Sequence, residues 1–316
     1  MLDAHKMKVF LLVSETLSFT ETAKRLHMSQ PSVSQHIQSL EKMFEAPLFI
    51  RKGRNIELTD DGKALKPLAR EFVNLSTQIQ ETMNSLKGEI HGHLLVGCST
   101  TPGKYVLPPL LAGFHKLYPR VQVTCQVTGE NESIRTLCDG DIHVALTSSK
   151  HHLHYKNAEF HQFMTEPIVL IVPKNHRWAE RGEIEPRELF EESYIMREPS
   201  SGTFQSVGDS LLEAGLYISE LKTMLVLGNS EAIALSVEEN LGVGFVSKMV
   251  VTNMGIERVA VVNVRGMEFS QDIYIGFQKR HPPSITQTAF KEYINKMENL
   301  SNVVDTSQAW EEVIPA

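Results

Sequence analysis

One face of the segment from Gln30 to Phe44 carries side chains that could hydrogen-bond to the edges of nucleic-acid bases. Ser29 is placed to cap a helix here, and Pro31 falls in its first turn, where a missing amide is tolerated. No residue from 29 to 40 carries a formal charge when His36 is neutral. Recognition by this face would therefore depend on hydrogen bonds, as in base reading in the major groove. The candidate base-reading residues are Gln30, Pro31, Ser32, Ser34, Gln35 and Gln38.

The residues on either side of this segment predict a winged helix-turn-helix. A first helix is expected at Leu2–Thr16, and Thr20–Leu26 forms a short helix that the turn His27–Ser29 joins to the next one. Leu48–Arg51 and Arg54–Leu58 have the pattern of a hairpin that turns near Gly53. The candidate phosphate-binding residues at its tip are Arg51, Lys52 and Arg54. The alternative is that the three helices form only a packing module.

A long helix capped by Thr59 follows the predicted hairpin. Its apolar residues recur at steps of three and four, which is the pattern of a coiled-coil seam. Such stripes also occur in ordinary cores, but no neighbouring segment is available to cover this one, so we expect a dimerisation helix. Pro67 should bend or loosen the first turns. A dimer with two-fold symmetry would bind an inverted repeat. The seam residues are Leu65, Leu68, Phe72, Leu75, Ile79, Met83 and Leu86.

The distribution of charge separates the first part of the chain from the rest. The 316 residues, 41% apolar and 22% charged, are typical of a soluble chain with two or three domains. The formal net charge is -7, with +3 in residues 1–70 and -10 in the remainder. The acidic excess would therefore discourage non-specific contact with DNA by the larger part of the molecule.

The apolar run Val9–Val13 is too short for a signal peptide or a membrane span, so we expect a cytoplasmic protein without membrane contact. The odd number of cysteines, without CxxC spacing, indicates reduced thiols. Cys98 ends a predicted strand and is either a redox sensor or a small buried residue. The other two cysteines are Cys125 and Cys138.

After a hinge at residues 88–92, strands and helices alternate. This pattern predicts a parallel sheet with helices on both faces, arranged as two lobes that the chain crosses twice. The predicted strands are His93–Cys98, Val121–Thr128, Ile142–Thr147, Ile168–Pro173, Tyr194–Arg197, Thr223–Leu227, Val243–Val246 and Gln271–Phe277. The predicted helices are Lys104–Leu117, Ser133–Cys138, Gly202–Ala214, Ser230–Asn240 and Thr286–Met297. Residues beyond Leu300 are expected to form a poorly ordered tail.

Hydroxyl side chains follow several of these strands and precede predicted helices. Together with the free amides of helix N-termini they suit a small anionic ligand, and Arg197 could supply a countercharge if it points inward. The alternative is that each hydroxyl only caps its own helix. Pro102 lacks an amide and weakens capture by the backbone there. The candidate effector residues are Ser99, Thr100, Thr101, Thr128, Thr147, Ser148, Arg197, Ser200, Ser201, Thr203 and Ser247.

The sequence contains no arrangement that predicts catalysis or a bound metal. The histidines His151, His152 and His154, with His161 beyond them, lack flanking cysteines or an HExxH helix, so we expect them to face solvent. No Ser-His-Asp arrangement and no phosphate-binding GxxxxGK loop stand out. We therefore expect no enzyme activity and no cofactor.

The first sixty or so residues resemble the LysR-type transcriptional regulators. The matching residues occur in the family's order and are Phe10-Leu11, Ser18-Phe19-Thr20, Ala23, Leu26, Ser29 to Ser34, Ile37, Leu40-Glu41, Leu48-Phe49, Arg51 and Leu58 to Gly62. The resemblance implies an α+β multidomain chain: a winged helix-turn-helix (1–58), a linker helix (59–87), a hinge (88–92), a two-lobed α/β effector domain (93–300) similar to periplasmic binding proteins, and a tail (301–316). Lobe 1 would comprise about 93–163 and 269–300, and lobe 2 about 164–268.

The same resemblance implies the partners of the chain. Family members bind double-stranded DNA at interrupted inverted repeats as homodimers or homotetramers, contact RNA polymerase and respond to a small-molecule effector. The hydroxyl-rich first lobe and the stretch from Arg197 to Thr203 look most similar to members that control sulfur or carbon assimilation. The alternative function is a cytoplasmic solute-binding protein or enzyme with an accessory helix-turn-helix module.

Overall fold

The computed structural model describes residues 2–52, 55–86, 89–148, 155–279 and 283–301. The chain forms two compact units, one of residues 1–91 with 139–141 and one of the remaining residues. In the described part of the chain, no helix combines the length and the apolar character that a membrane span needs.

The described residues of the first unit form four helices and a hairpin. They are α1 (Ala4–Thr16), α2 (Phe19–Arg25), α3 (Gln30–Phe44), β1 (Phe49–Lys52), β2 (Asn55–Leu58) and α4 (Asp60–Ser85). Helix α3 has the predicted bounds. Helix α1 starts two residues later than predicted because the Asp3 carboxylate accepts from the amide of His5, and α2 starts one residue earlier because Ser18 caps it.

The core of the first unit lies beneath one face of α3. Val33, Ile37 and Leu40 share that face at helical spacing, and all three are buried against residues such as Phe10 and Leu48. Burial of each such side chain contributes about 1.5–3 kcal/mol to folding. This packing holds the opposite face of α3 in contact with solvent.

The wing and α4 follow directly on α3. Strands β1 and β2 pair antiparallel from Phe49 with Leu58 to Lys52 with Asn55. The carboxylate of Glu41 in α3 accepts the amide of Leu48 at 2.8 Å, which ties the hairpin to the helix. The predicted turn at Gly53 lies outside the described residues. Helix α4 runs without interruption through Pro67, and Thr59 caps it as predicted.

The second unit contains the remaining strands and helices. The strands are β3 (Gly92–Cys98), β4 (Val121–Val127), β5 (Val144–Thr147), β6 (Ala158–Pro173), β7 (Glu183–Ile184), β8 (Ser193–Arg197), β9 (Lys222–Leu227), β10 (Gly244–Ser247), β11 (Val259–Val264) and β12 (Ser270–Gln278). The helices are α5 (Leu107–Leu117), α6 (Glu130–Asp139), α7 (Arg177–Arg181), α8 (Gly202–Glu213), α9 (Ser230–Glu238), α10 (Lys248–Met254) and α11 (Ile285–Ser301). A π-helical turn (Pro102–Val106) precedes α5, and short 3-10 helices span Pro186–Glu191 and Ile218–Glu220.

The main sheet is mixed, so the prediction of a parallel sheet is wrong. Its strand order is β4-β3-β5-β12-β6-β11-β7, with β10 also paired to β6. The pairs β3–β4 and β3–β5 are parallel, whereas β12 runs antiparallel to both β5 and β6. The returning strand β12 enters the sheet in the opposite direction, which alternation of strands and helices along the sequence does not reveal.

Strand β6 belongs to both lobes of the second unit. Its first part, Ala158–Pro167, pairs with β12, and its second part, Ile168–Pro173, pairs with β10 and β11. The prediction placed a strand only at Ile168–Pro173, because polar side chains such as His161 and Gln162 interrupt the apolar pattern before it. The predicted boundary between the lobes near residue 163 therefore falls inside a continuous strand.

Candidate functional site

The polar side of α3 is exposed in the way that the helical periodicity predicts. Gln30, Pro31, Gln35 and Gln38 are exposed, and the hydroxyl-bearing residues beside them are half-buried. The Ser29 hydroxyl accepts the amide of Ser32 at 3.2 Å, which fixes the start of the helix. Ser32 and Ser34 are the half-buried members of the predicted set.

The part of α3 from Gln30 to Leu40 carries no formal charge when His36 is neutral. Burial and the neighbouring charges of His5 and Lys6 lower the pKa of His36, so its ring is neutral near pH 7. Lys6 Nζ donates to the Ser39 hydroxyl at 2.8 Å, which places one cation of α1 against this helix. Of the predicted phosphate-binding residues, Arg51 and Lys52 lie in β1, and Arg54 falls outside the described residues.

The hydroxyl groups at the end of β5 bind a carboxylate of the chain itself. Thr147 Oγ1 donates to Glu130, and the amide and hydroxyl of Ser148 donate to the same carboxylate at 3.1 and 2.7 Å. All three residues are buried. Glu130 begins α6 and thus occupies the position where the sequence predicts an anionic ligand.

A second carboxylate occupies the predicted position at Ser247. The Ser247 hydroxyl donates to Glu166 Oε1 at 2.6 Å, and the amide of Met249 in α10 donates to the same oxygen at 2.9 Å. Burial raises the pKa of Glu166, and these hydrogen bonds act in the opposite direction. Glu130 and Glu166 were both absent from the predicted site.

Arg197 is buried, with 7% of its surface exposed, and is already paired. Its Nε and Nη2 donate to the two carboxylate oxygens of Glu198 at 2.9 and 2.8 Å, and Nη1 donates to the Ser230 hydroxyl at 3.3 Å. Burial tends to raise the pKa of Glu198, but the hydrogen bonds from Arg197 lower it. The guanidinium of Arg197 therefore already neutralises a carboxylate of the chain itself, that of Glu198.

Some of the remaining predicted residues use their hydroxyl groups in hydrogen bonds within the described part of the chain, whereas Ser99 does not. Thr128 shares a hydrogen bond with Ser133 at 2.6 Å, and Ser201 caps α8 through the amide of Phe204 at 3.1 Å. Ser99 is buried, and its Oγ has no hydrogen-bond partner within the described residues. Of the others, Thr101 is buried, Thr100 is half-buried and Ser200 is exposed.

Gln271 is a candidate site residue that the sequence pattern did not indicate. It lies in β12 with 1% of its surface exposed, and its Oε1 accepts from the hydroxyl of Thr203 at 3.1 Å. Its Nε2 has no hydrogen-bond partner within the described residues. A buried amide that lacks a partner is costly, so Gln271 and Ser99 are the groups best suited to receive a polar ligand.

Further contacts join the lobes near these residues. Gly202 at the start of α8 lies against Ser148, where a Cβ would be only 2.7 Å from the Ser148 carbonyl oxygen. Lys104 Nζ and the Tyr105 hydroxyl both lie 3.0 Å from Glu231 Oε1 at the start of α9. Burial and this hydrogen bond raise the pKa of Tyr105 to about 12. The lobes are thus held together by polar groups from helix N-termini.

Apart from His161, the histidines singled out in the sequence lie outside the described residues. His161 Nε2 lies 3.0 Å from a carboxylate oxygen of Glu159, and no group of histidine, cysteine and acidic residues there could hold an ion. His151, His152 and His154 lie outside the described residues, as does the predicted tail beyond Ser301.

Family models match both units. Residues 4–63 match "Bacterial regulatory helix-turn-helix protein, lysR family", and residues 87–298 match "LysR substrate binding domain". These ranges contain α3 with its exposed glutamines and every predicted effector residue.

Relatives match along most of the chain. The "HTH-type transcriptional activator CmpR" of Synechocystis sp. is 30% identical over 92% of this chain and 94% of its own. An "Uncharacterized HTH-type transcriptional regulator MJ0300" of Methanocaldococcus jannaschii is 29% identical over 92% and 97%, respectively. The "RuBisCO operon transcriptional regulator" of Allochromatium vinosum is 27% identical over 92% and 94%.

Solved structures share the fold. Full-length CbnR in complex with its target DNA is 23% identical, with a TM-score of 0.63 over 93% of this chain and 99% of that one. The Synechocystis CcmR regulatory domain in complex with 2-PG is 22% identical, with a TM-score of 0.59 over 66% and 98%. With a helix-turn-helix unit, a two-lobed second unit and family models that match both, this chain belongs to the LysR family of DNA-binding transcriptional regulators.

Proposed function

We propose that this regulator recognises its DNA site through the exposed face of α3 and responds to a small anionic metabolite that binds in the second unit. The observation that supports base reading is the row of exposed, uncharged groups on α3: Gln30, Gln35 and Gln38. Glutamine pairs well with base edges, adenine above all. Ser32 and Ser34, at the margin of the row, add hydroxyl groups.

In this proposal, the basic residues Arg51, Lys52 and Arg54 hold phosphates beside the reading helix. Phosphate contacts fix the orientation of a protein on the duplex without carrying sequence information. This division of labour suits a helix whose own face has no charge.

The effector would bind at the end of β3 rather than at the end of β5. The donors Thr147 and Ser148 already bind Glu130, so an anion placed there would meet a carboxylate. The unpartnered hydroxyl of Ser99 favours a ligand near the segment from Ser99 to Thr101. A complex of the fold neighbour CcmR with 2-PG supports a small anionic ligand class. Control of carbon assimilation would agree with the names of relatives such as the RuBisCO operon regulator.

The assembly would be a homodimer or homotetramer formed through α4. Leu65 and Phe72 of the predicted seam pack into the core of the first unit, whereas the rest of the seam is exposed. The exposed residues are Leu68, Leu75, Ile79, Met83 and Leu86. A stripe of this length supports pairing with a second copy, which would present two α3 helices to an interrupted inverted repeat. Action in the cytoplasm, contact with RNA polymerase and the lack of enzymatic turnover belong to the same proposal.

If α3 recognises bases, replacement of Gln35 should reduce the preference for the selected DNA site over scrambled DNA. With a site selected from random DNA by the wild-type protein, Gln35→Ala should reduce the preference for that site over scrambled DNA by about 1–3 kcal/mol. Arg54→Ala is the matched control and should weaken both complexes alike. Fluorescence anisotropy with both duplexes measures the two effects. An equal loss on both duplexes from Gln35→Ala would contradict base reading.

The effector role predicts that a small anion stabilises the second unit. In a thermal-shift screen of sulfate, sugar phosphates, 2-phosphoglycolate and aromatic acids, a ligand at a hundred times its dissociation constant should add about 2.7 kcal/mol to the free energy of unfolding. Thr101→Val should abolish the shift, whereas Arg54→Ala should leave it unchanged. If a shift survives Thr101→Val and Ser99→Ala together, the ligand does not bind at this segment.

A further inference from the structure

Two thiols face one another beneath the segment that leads to Thr101. Cys98 ends β3 and Cys125 lies in β4, and their Sγ atoms are 3.3 Å apart. In the parallel register of β3 and β4, Cys98 is opposite Val127, two residues beyond Cys125. Both thiols therefore lie on the same face of the sheet, diagonally across neighbouring strands.

We propose that Cys98 and Cys125 form a reversible intramolecular disulfide when the protein meets a hydroperoxide. A disulfide has an S–S length of about 2.05 Å, so the sulfurs must approach by about 1.3 Å. Strand β4 is the last strand at its end of the sheet and has no neighbour on its outer side in the described structure. It can therefore shift without breaking a second ladder.

The environments of the two sulfurs assign them different roles. Cys125 is exposed, whereas Cys98 is completely buried. The hydrogen bond from Cys98 lowers the pKa of Cys125, while burial has the opposite effect on it. The same hydrogen bond, together with burial, raises the pKa of Cys98. Cys125 is thus the accessible sulfur that reacts first, since the thiolate is the nucleophile, and Cys98 is the resolving thiol.

The chemistry needs one peroxide for each disulfide. The Cys125 thiolate attacks a peroxide oxygen, the O–O bond breaks, and the leaving hydroxide takes up a proton to give water and a sulfenic acid. The Cys98 sulfur then attacks the Cys125 sulfur, loses its proton, and displaces the sulfenic oxygen as a second water. Two thiols lose two electrons in total, and hydrogen peroxide gains them. A dithiol reductant reverses the reaction by exchange.

The position of the pair would connect its oxidation to the effector segment. Cys98 directly precedes Ser99, and its Sγ lies against Gly103, where an added Cβ would be only 2.5 Å away. The backbone of the π-helical turn therefore rests on one of the two sulfurs that would form the bond. A shift of Cys98 toward Cys125 would remove part of the support beneath Thr101 and Pro102.

The sequence allows a direct test, because trypsin places the three cysteines on separate peptides, residues 88–104, 121–135 and 136–150. The full-length protein is treated with hydrogen peroxide, alkylated with iodoacetamide, digested and analysed by mass spectrometry with and without reduction. We expect the first two peptides to be joined, and the number of alkylated thiols to fall from three to one. Cys138→Ser is the control and should give the same linked pair.

Two variants separate this reaction from other oxidations. Cys125→Ser, at an exposed position, should leave Cys98 alkylated after peroxide treatment and denaturation. Cys98→Ser should accumulate a sulfenic acid at Cys125 that dimedone traps; Cys98→Ala serves the same purpose if the serine is not tolerated. The proposal is overturned if Cys125 links to a second copy on a non-reducing gel. It is also overturned if Cys125 proceeds to a sulfonic acid while Cys98 stays reduced.

Discussion

At the scale of single residues, the second unit supplies its own carboxylates to the hydroxyl groups that a ligand would use. Glu130 binds Thr147 and Ser148, and Glu166 binds Ser247. Removal of either acceptor would leave buried donors unpaired at a cost of about 1–3 kcal/mol each. If an effector binds as proposed, these two carboxylates leave it fewer free hydroxyl donors, and Ser99 is one that has no partner within the described residues.

Glu166 makes the stability of the second unit depend on pH. Its pKa is raised from 4.5, chiefly by burial, so the folded protein holds this proton more tightly than the unfolded chain. Its contribution to the free energy of unfolding is complete below pH 4.5 and is lost as the pH rises through the folded value. Glu166→Gln keeps an acceptor for Ser247 without the charge. Urea titrations at several pH values measure the free energy of unfolding. In the variant, this free energy should not fall as the pH rises through the pKa of Glu166. An equal dependence on pH in both proteins would show that Glu166 is not the group responsible.

At the scale of elements, the start of α8 is fitted closely to the end of β5. A Cβ at Gly202 would meet the Ser148 side chain and carbonyl, whereas a Cβ at Gly208 in the same helix would have its nearest neighbour, in Ile218, at 3.6 Å. The two glycines thus lie in the same helix but differ in the room that surrounds an added Cβ. The contact at Gly202 lies directly beside Thr203, which donates a hydrogen bond to Gln271.

The two glycines of α8 give a matched pair of variants. Gly208→Ala should stabilise the protein by about 0.5–1 kcal/mol, since alanine loses less backbone entropy in a helix. Gly202→Ala should destabilise it by about 1–3 kcal/mol through overpacking against Ser148. Chemical denaturation of both variants measures the difference. Equal effects at the two positions would mean that the lobes part freely at this contact.

Element boundaries show which parts of the fold the sequence could predict. The periodicity of Val33, Ile37 and Leu40 was sufficient for α3, because its core face and its caps are local. The first part of β6 was missed because its pairing with β12 depends on residues more than a hundred positions away. The sequence indicates that hydroxyl groups follow the strands, but it does not indicate their hydrogen-bond partners. Ser247 and its partner Glu166 are 81 residues apart, and Thr203 and its partner Gln271 are 68 residues apart. Only the folded chain brings those acceptors into place.

At the scale of the whole molecule, a single copy of the chain leaves the apolar stripe of α4 exposed to solvent. Leu75, Ile79 and Met83 each expose more than half of their surface. Contiguous apolar surface of this kind on a soluble protein marks an interaction site. A second α4 would cover it and bring two reading helices to one DNA site.

Assembly through α4 predicts that a charge in the stripe separates the copies. Ile79→Glu should reduce the molar mass in light scattering after size exclusion, because an unpaired carboxylate would be buried between the helices. Gln80→Glu adds the same charge at the neighbouring exposed position and should leave the mass unchanged. A mass unaffected by Ile79→Glu would place the interface elsewhere.

The uncharged face of α3 also bears on how the regulator responds to ionic strength. Binding through phosphates weakens as salt increases, because released counterions gain less entropy, and this loss applies to every DNA sequence. In the proposed mode of binding, hydrogen bonds from Gln30, Gln35 and Gln38 to base edges would displace no condensed counterions. When potassium rises under osmotic stress, occupancy should therefore fall at all sites together, while the ranking of one promoter over another is preserved.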